Sequence, residues 1–303
     1  MRRWPRRTVA ALLVVVLALD LAMVARPRQV RAYLTHWTRS PTHTEPFGPY
    51  PVDGEPVLRM AVAGDIGDSG RRLDSTAAAV AGLAGPRGYD ELLLLGDNAY
   101  PRGDPATLQE TVFGPFGPVL DGGTELLAIL GNHDVMDGNG PGQVDALGLP
   151  GPRWSVERNG VLLVGLDSTI GDDSQQRAWL DRTLAASDAP WRIVAVHHPP
   201  YSAGYQGSAL DIRAAYAPIF ERHGVQLVLS GHDHDYQRSE VIGGVTYVVS
   251  GGGAGTRRTS SDWFTARSFS WHHFLDVAVF PDALVVRAVN QDQRVADEAI
   301  VRR

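Results

Sequence analysis

Five short polar motifs, each following an apolar run, carry the chemistry this sequence offers. In order they are Gly64-Asp65-Ile66-Gly67, Gly96-Asp97-Asn98-Ala99-Tyr100, Gly131-Asn132-His133-Asp134, Val194-Ala195-Val196-His197 and Gly231-His232-Asp233-His234. Together they supply Asp65, Asp97, Tyr100, Asn132, His197, His232 and His234, enough oxygen and nitrogen donors for two metal ions side by side. A metal pair of that kind hydrolyses phosphoesters, because it can stabilise both the attacking and the leaving oxygen. The chain has no Cys, which excludes disulfides and thiolate metal sites. Any metal must therefore sit among O and N donors, a set suited to Fe, Mn, Zn or Mg.

The elements that must position these donors are legible around them. Val57–Ala63, Leu92–Leu95, Leu126–Leu130, Val161–Leu166, Ile193–Val196, Val225–Leu229 and Val245–Val249 are short, nearly continuous apolar runs, as expected of strands buried on both faces. Arg72–Leu83, Ser174–Ala186 and Asp211–Arg222 are amphipathic or Ala-rich and predict helices. Phe274–Phe280 and Ala283–Val289 flank Pro281-Asp282 and predict a hairpin, while the Gly/Pro-rich stretch Asp137–Arg153 predicts a surface loop. Strand–helix alternation followed by antiparallel strands makes the fold class α/β with mixed sheets. In such sheets ligands collect beyond the carboxyl ends of the strands, where all five motifs stand.

The amino terminus has a different character. Arg2, Arg3, Arg6 and Arg7 precede an apolar stretch interrupted by Asp20, the layout of a signal peptide or an N-terminal membrane anchor over residues 1–25. The absence of a small-x-small cleavage pattern favours the uncleaved anchor. Residues 26–55 are rich in Pro, Thr and Arg and read as a linker to one catalytic domain over 56–303. The expected location is exported, either membrane-anchored or secreted. Beyond residue 31 the chain has 21 Arg and 33 acidic residues, a formal charge of −12, which excludes general nucleic-acid binding. Nothing in the sequence reads out an oligomeric state.

All five motifs in this order resemble the metallophosphoesterase (calcineurin-like phosphoesterase) superfamily, and specifically its purple acid phosphatase branch. The branch follows from Asp65-Ile66-Gly67, which lacks the Asp-x-His of many relatives, and from Tyr100 three residues after Asp97. The resemblance spans about Val57 to Val289 and implies a four-layer αββα sandwich of two mixed sheets. It implies two metal ions. One, Fe(III), would take Asp65, Tyr100, His234 and the bridging Asp97. The other, a divalent Fe, Zn or Mn, would take Asp97, Asn132, His197 and His232. It makes His133 a substrate-side group that assists the leaving alcohol, with Asp134 setting its tautomer.

Where the family often carries a further His, this chain has Gln206, an amide that donates hydrogen bonds but no acidic proton. Gln206 and His198 are the remaining substrate-side candidates. Asp68 and Asp233 read as turn residues, and His223 as a helix cap. The implied activity is hydrolysis of small phosphate monoesters by in-line attack of a metal-bound hydroxide. A phosphodiesterase acting on cyclic nucleotides or phospholipid head groups, and a non-catalytic interaction module on the same fold, are the alternatives.

Overall fold

The computed structural model describes residue 30 and residues 43–303; the expected anchor over 1–25 lies outside them. Among the described residues no helix is long and apolar enough to cross a membrane. In chain order the main elements are β1 (Glu45–Pro46), β2 (Leu58–Ala63), α1 (Arg71–Ala84), β3 (Glu91–Leu94), β4 (Glu125–Ala128), α2 (Gly140–Ala146), β5 (Trp154–Arg158), β6 (Val161–Leu166), α3 (Ser174–Ala186), β7 (Trp191–Val196), α4 (Leu210–Arg222), β8 (Leu227–Ser230), β9 (Tyr236–Ser239), β10 (Thr246–Ser250), β11 (Thr265–Phe269), β12 (His273–Val279), β13 (Ala283–Asn290) and β14 (Arg294–Arg302).

The strands form two seven-stranded mixed sheets, ordered β1-β14-β13-β12-β2-β3-β4 and β11-β9-β10-β8-β7-β6-β5. In the first, β2, β3 and β4 run parallel. In the second, β6, β7, β8 and β10 do so. Side chains alternate along each strand, and both faces are buried. Leu58, Met60 and Val62 of β2 join Trp191, Ile193 and Ala195 of β7 in one core between the sheets. Ala61 and Ala63 turn the other way, onto Leu73, Ala77 and Val80 of α1. Val194 and Val196 turn onto Leu180 and Leu184 of α3 and Tyr216 and Phe220 of α4. The result is the expected four-layer sandwich. Burial on two faces explains why the central strands read as unbroken apolar runs rather than alternating ones.

The predicted loop 137–153 contains α2, a seven-residue helix with Gly140 and Gln143 buried. Its Gly and Pro content hid it, although Pro141 is at home in a first helical turn. The linker reading of 26–55 also needs correction at its carboxyl end. Glu45 and Pro46 pair with β14, Arg287 donates to the carbonyls of Gly48 and Pro49, and Tyr50 donates to Asp276 at 2.7 Å. Long-range polar contacts of this kind leave no apolar period to read. Strands β5, β9 and β11 carry polar residues at every other position or more densely, and no apolar run marks them.

Candidate metal centre

Six strand ends open on one mouth. Asp65 follows β2, Asp97 follows β3, Asn132 follows β4, His197 follows β7, and His232 and His234 follow β8; the sixth end, that of β6, brings Asp167 and Ser168. Three of the donor residues sit in the left-handed backbone region: Asp65 at φ 56°, Asp97 at 53° and His232 at 69°. Asp, Asn and His enter that region more readily than other non-glycine residues, at a strain of about 1–3 kcal/mol each. Two glycines make the close packing possible. A Cβ on Gly96 would lie 2.6 Å from His197 Nδ1, and one on Gly131 would overlap the Asp97 carboxylate.

The donor atoms fall into two groups that share Asp97. In the first, the Tyr100 hydroxyl lies 3.1 Å from Asp97 Oδ2, 3.3 Å from Asp65 Oδ1 and 3.1 Å from His234 Nε2. His234 Nε2 is 3.4 Å from Asp65 Oδ1. In the second, His197 Nε2 lies 3.5 Å from Asp97 Oδ1 and 3.3 Å from Asn132 Oδ1. The His197 and His232 rings are 5.2 Å apart. Asp97 thus turns one oxygen to each group. All seven expected donors gather here, and two overlapping trios, Asp65–Asp97–His197 and His197–His198–His232, each offer ligand atoms within 4.8 Å of one another.

Supporting contacts hold the donors in place, two of them across the sheets. His197 Nδ1 is 2.8 Å from the Leu95 carbonyl. A carbonyl only accepts, so Nδ1 carries the hydrogen and Nε2 is left as the donor atom. The His232 amide donates to Asp65 Oδ2 at 2.8 Å, and the His133 amide to Asp97 Oδ1 at 2.9 Å.

The electrostatics fit cations. Burial, then the Asp65 and Asp97 carboxylates, push the Tyr100 phenol far above its ordinary value. Burial opposes charge on His197, yet Asp97 and Asp65 hold its pKa above the usual range. Burial, then neighbouring imidazoles led by His197, pull His232 down to about 2. A buried carboxylate pair beside imidazoles is a hard–borderline O/N donor set, and charges so placed are ordinarily paired or coordinate metals.

His133 is half-exposed, with its ring edge-on to Tyr100 at 4.7 Å and Nε2 4.0 Å from Asp97 Oδ2. Its Nδ1 bonds the Pro101 carbonyl at 2.7 Å, so Pro101, not Asp134, sets the tautomer. Asp134 is fully buried. It accepts from the amides of Asn98 (2.8 Å), Ala99 (3.1 Å) and Gly131 (2.8 Å) and from Asn98 Nδ2 (3.0 Å). It clamps the loop after β3 to the loop after β4. Burial, then the Asp97 charge, raise it to about 7.

Asp233 is likewise no exposed turn residue. It is buried and accepts from Ser202 Oγ and from the amides of Gln206 and Gly207. Gln206 therefore joins the site through its backbone, on a loop whose Tyr205 ring carries Arg257 5.5 Å above it. His223 stands at the C-cap of α4 as expected, its backbone amide donating to the Ile219 carbonyl at 3.1 Å, and its ring also pairs with Asp181 of α3 at 2.7 Å. His198 Nδ1 lies 2.8 Å from Ser168 Oγ. Ser168 went unread in the sequence. Its signal was its position directly after the apolar run Val161–Leu166 and Asp167, the same placement as the other donors.

Residues 58–236 match the Calcineurin-like phosphoesterase family. Tartrate-resistant acid phosphatase type 5 of Sus scrofa is 28% identical over 258 residues, covering 71% of this chain and 73% of the relative. Fe(3+)-Zn(2+) purple acid phosphatase 12 of Arabidopsis thaliana is 30% identical over 115 residues, 35% of this chain and 24% of the relative. A solved purple acid phosphatase from yellow lupin seeds superposes with a TM-score of 0.72 at 17% identity, over 84% of this chain and 55% of that one, a likeness of fold.

Proposed function

The chain belongs to the calcineurin-like phosphoesterase family, and on that premise we propose that it hydrolyses phosphate monoesters of small molecules with two metal ions held between its sheets. Asp65, Asp97, Tyr100 and His234 would hold one, an Fe(III). Asp97, Asn132, His197 and His232 would hold the other, a divalent Fe, Zn or Mn. When bound, such a pair supplies an activated water and Lewis acidity toward a phosphoryl oxygen. The observation that carries the reading is the division of the Asp97 carboxylate, Oδ2 toward Tyr100 and Oδ1 toward His197.

The chain's own residues do the rest. The left-handed turns at Asp65, Asp97 and His232 aim donors that a relaxed loop would scatter. His133 keeps its Nδ1 hydrogen on Pro101 O, so Nε2 bears a proton only in the imidazolium form. Donation from Nε2 to a phosphoryl or leaving oxygen then requires that charged form. The charged ring would also offset negative charge developing on phosphorus-bound oxygens. Export, with residues 1–25 as leader or anchor, belongs to the same proposal and rests on the sequence.

The test uses the full chain, with metal analysis and hydrolysis of p-nitrophenyl phosphate and bis-p-nitrophenyl phosphate from about pH 4 to pH 8, a range spanning the ordinary titration of carboxylates and imidazoles. We expect about two metals per chain, and faster monoester than diester cleavage with an acidic optimum. A metal-free protein without monoesterase activity would overturn the reading, and a preference for the diester would replace its substrate class.

A further inference from the structure

We propose that His198 is a ligand to the second cation, completing a three-imidazole set that makes this position select a nitrogen-seeking divalent ion. The inference rests on the two-cation reading above. The rings of His197, His198 and His232 are mutual neighbours, with centroids 5.0, 4.6 and 5.2 Å apart. One ring nitrogen from each lies within 4.8 Å of the others. Zinc–nitrogen bonds of about 2.0–2.1 Å are within reach of nitrogens grouped this closely.

His198 is oriented as a metal-binding histidine is. Such residues donate the second ring N–H to an oxygen that fixes the tautomer and raises ligand basicity. His197 does this with Leu95 O at 2.8 Å, and His198 has Ser168 Oγ at the same 2.8 Å. The Ser168 oxygen also accepts the His198 backbone amide at 3.1 Å. In the proposed tautomer the Ser168 lone pairs take both bonds, and His198 Nε2 is the free donor atom.

The consequence is an asymmetric centre. The first position offers two carboxylates, a phenol and one imidazole. The second offers one shared carboxylate, an amide and three imidazoles. Imidazole-rich sets favour Zn, Fe and Cu, whereas Mg and Mn prefer oxygen.

The test compares wild type, His198→Gln and Ser168→Ala as metal-stripped full-length protein, titrated with Zn²⁺ and with Mn²⁺ by calorimetry. Visible spectra of the Co²⁺-loaded proteins give a second readout. We expect His198→Gln to weaken one Zn²⁺ site by about tenfold or more while Mn²⁺ changes little, and to alter the Co²⁺ spectrum. Ser168→Ala should act in the same direction and less strongly, toward the low end of the roughly 10–100-fold range for outer-sphere partners. Unchanged Zn²⁺ affinity, or equal losses for Zn²⁺ and Mn²⁺, would overturn the assignment. So would a rise in KM for p-nitrophenyl phosphate with metal binding intact, which would put His198 on the substrate instead. A wild-type chain that binds none of the three cations would sink the two-cation reading itself.

Discussion

The two sheets contribute opposite chemistry to the same mouth. Loops after β2, β3 and β4 bring Asp65, Asp97, Tyr100 and Asn132, all oxygen donors. Loops after β7 and β8 bring His197, His232 and His234, all imidazoles. Neither sheet can build the centre alone, and each orients the other's donors: Leu95 O of the first sheet holds His197, and the His232 amide of the second holds Asp65. Carboxylate oxygens come from the first sheet and imidazole nitrogens from the second. Packing the sheets face to face therefore does more than bury the core between them, since it sets the donor ratio at the site.

Four measurements would break or sharpen that contrast. Asp97→Asn should have the largest effect, because Asp97 serves both donor groups. We expect at least about a thousandfold loss in kcat/KM for p-nitrophenyl phosphate, about 4 kcal/mol, with loss of bound metal by elemental analysis. A variant that keeps both would show that the sheets do not share a bridging group.

Asp134→Ala tests the first sheet's internal clamp. It strands three buried backbone amides, so unfolding by urea should show a loss of about 3 kcal/mol, with Asp134→Asn losing less. An unchanged denaturation midpoint would mean that the loops after β3 and β4 need no tie.

Glu91 tests the coupling of the sheets at the end away from the site. It is buried on β3 and lies 3.0 Å from Arg158 of β5 in the other sheet. Burial lifts it to about 7, partly offset by Arg158. A carboxyl whose folded pKa lies above its unfolded value adds stability that is complete below the unfolded value, near 4.5, and is lost as pH rises through about 7. Stability of the wild type should therefore fall across that window, by roughly 1–3 kcal/mol. Glu91→Gln should flatten the profile, and identical slopes for both proteins would contradict the assignment.

Tyr100→Phe should have the smallest effect on hydrolysis, under about tenfold, because three donors of its group remain. Its readout is colour. A phenolate on Fe(III) gives a visible charge-transfer band, and that band should vanish in the variant. Persistence of the band would remove Tyr100 from the donor set.

Much of the first sheet's contribution was legible because Asp65, Asp97 and Asn132 each follow an apolar run and a glycine. The three histidines were equally plain in the fourth and fifth motifs. Contacts between distant loops were not. Asp134 looked like a partner for its neighbour His133, but the chain turns between them, and the carboxylate faces Asn98, Ala99 and Gly131 instead. Asp233 sits between two donors and resembled a solvent residue, while folding brings the 202–207 loop onto it. The strap at 44–52 escaped because its anchors, Asp276, Arg287 and β14, lie more than 200 positions away.

The amino-acid sequence by itself determined the strand-end donors and the continuous apolar runs, because both are local consequences of residue type and period. Tertiary structure alone decided which oxygen of Asp97 faces which donor group, which carbonyl sets each histidine tautomer, and that Ser168 stands behind His198. Those relations depend on where two separately folded strand ends meet in space, and no interval along the chain encodes that distance.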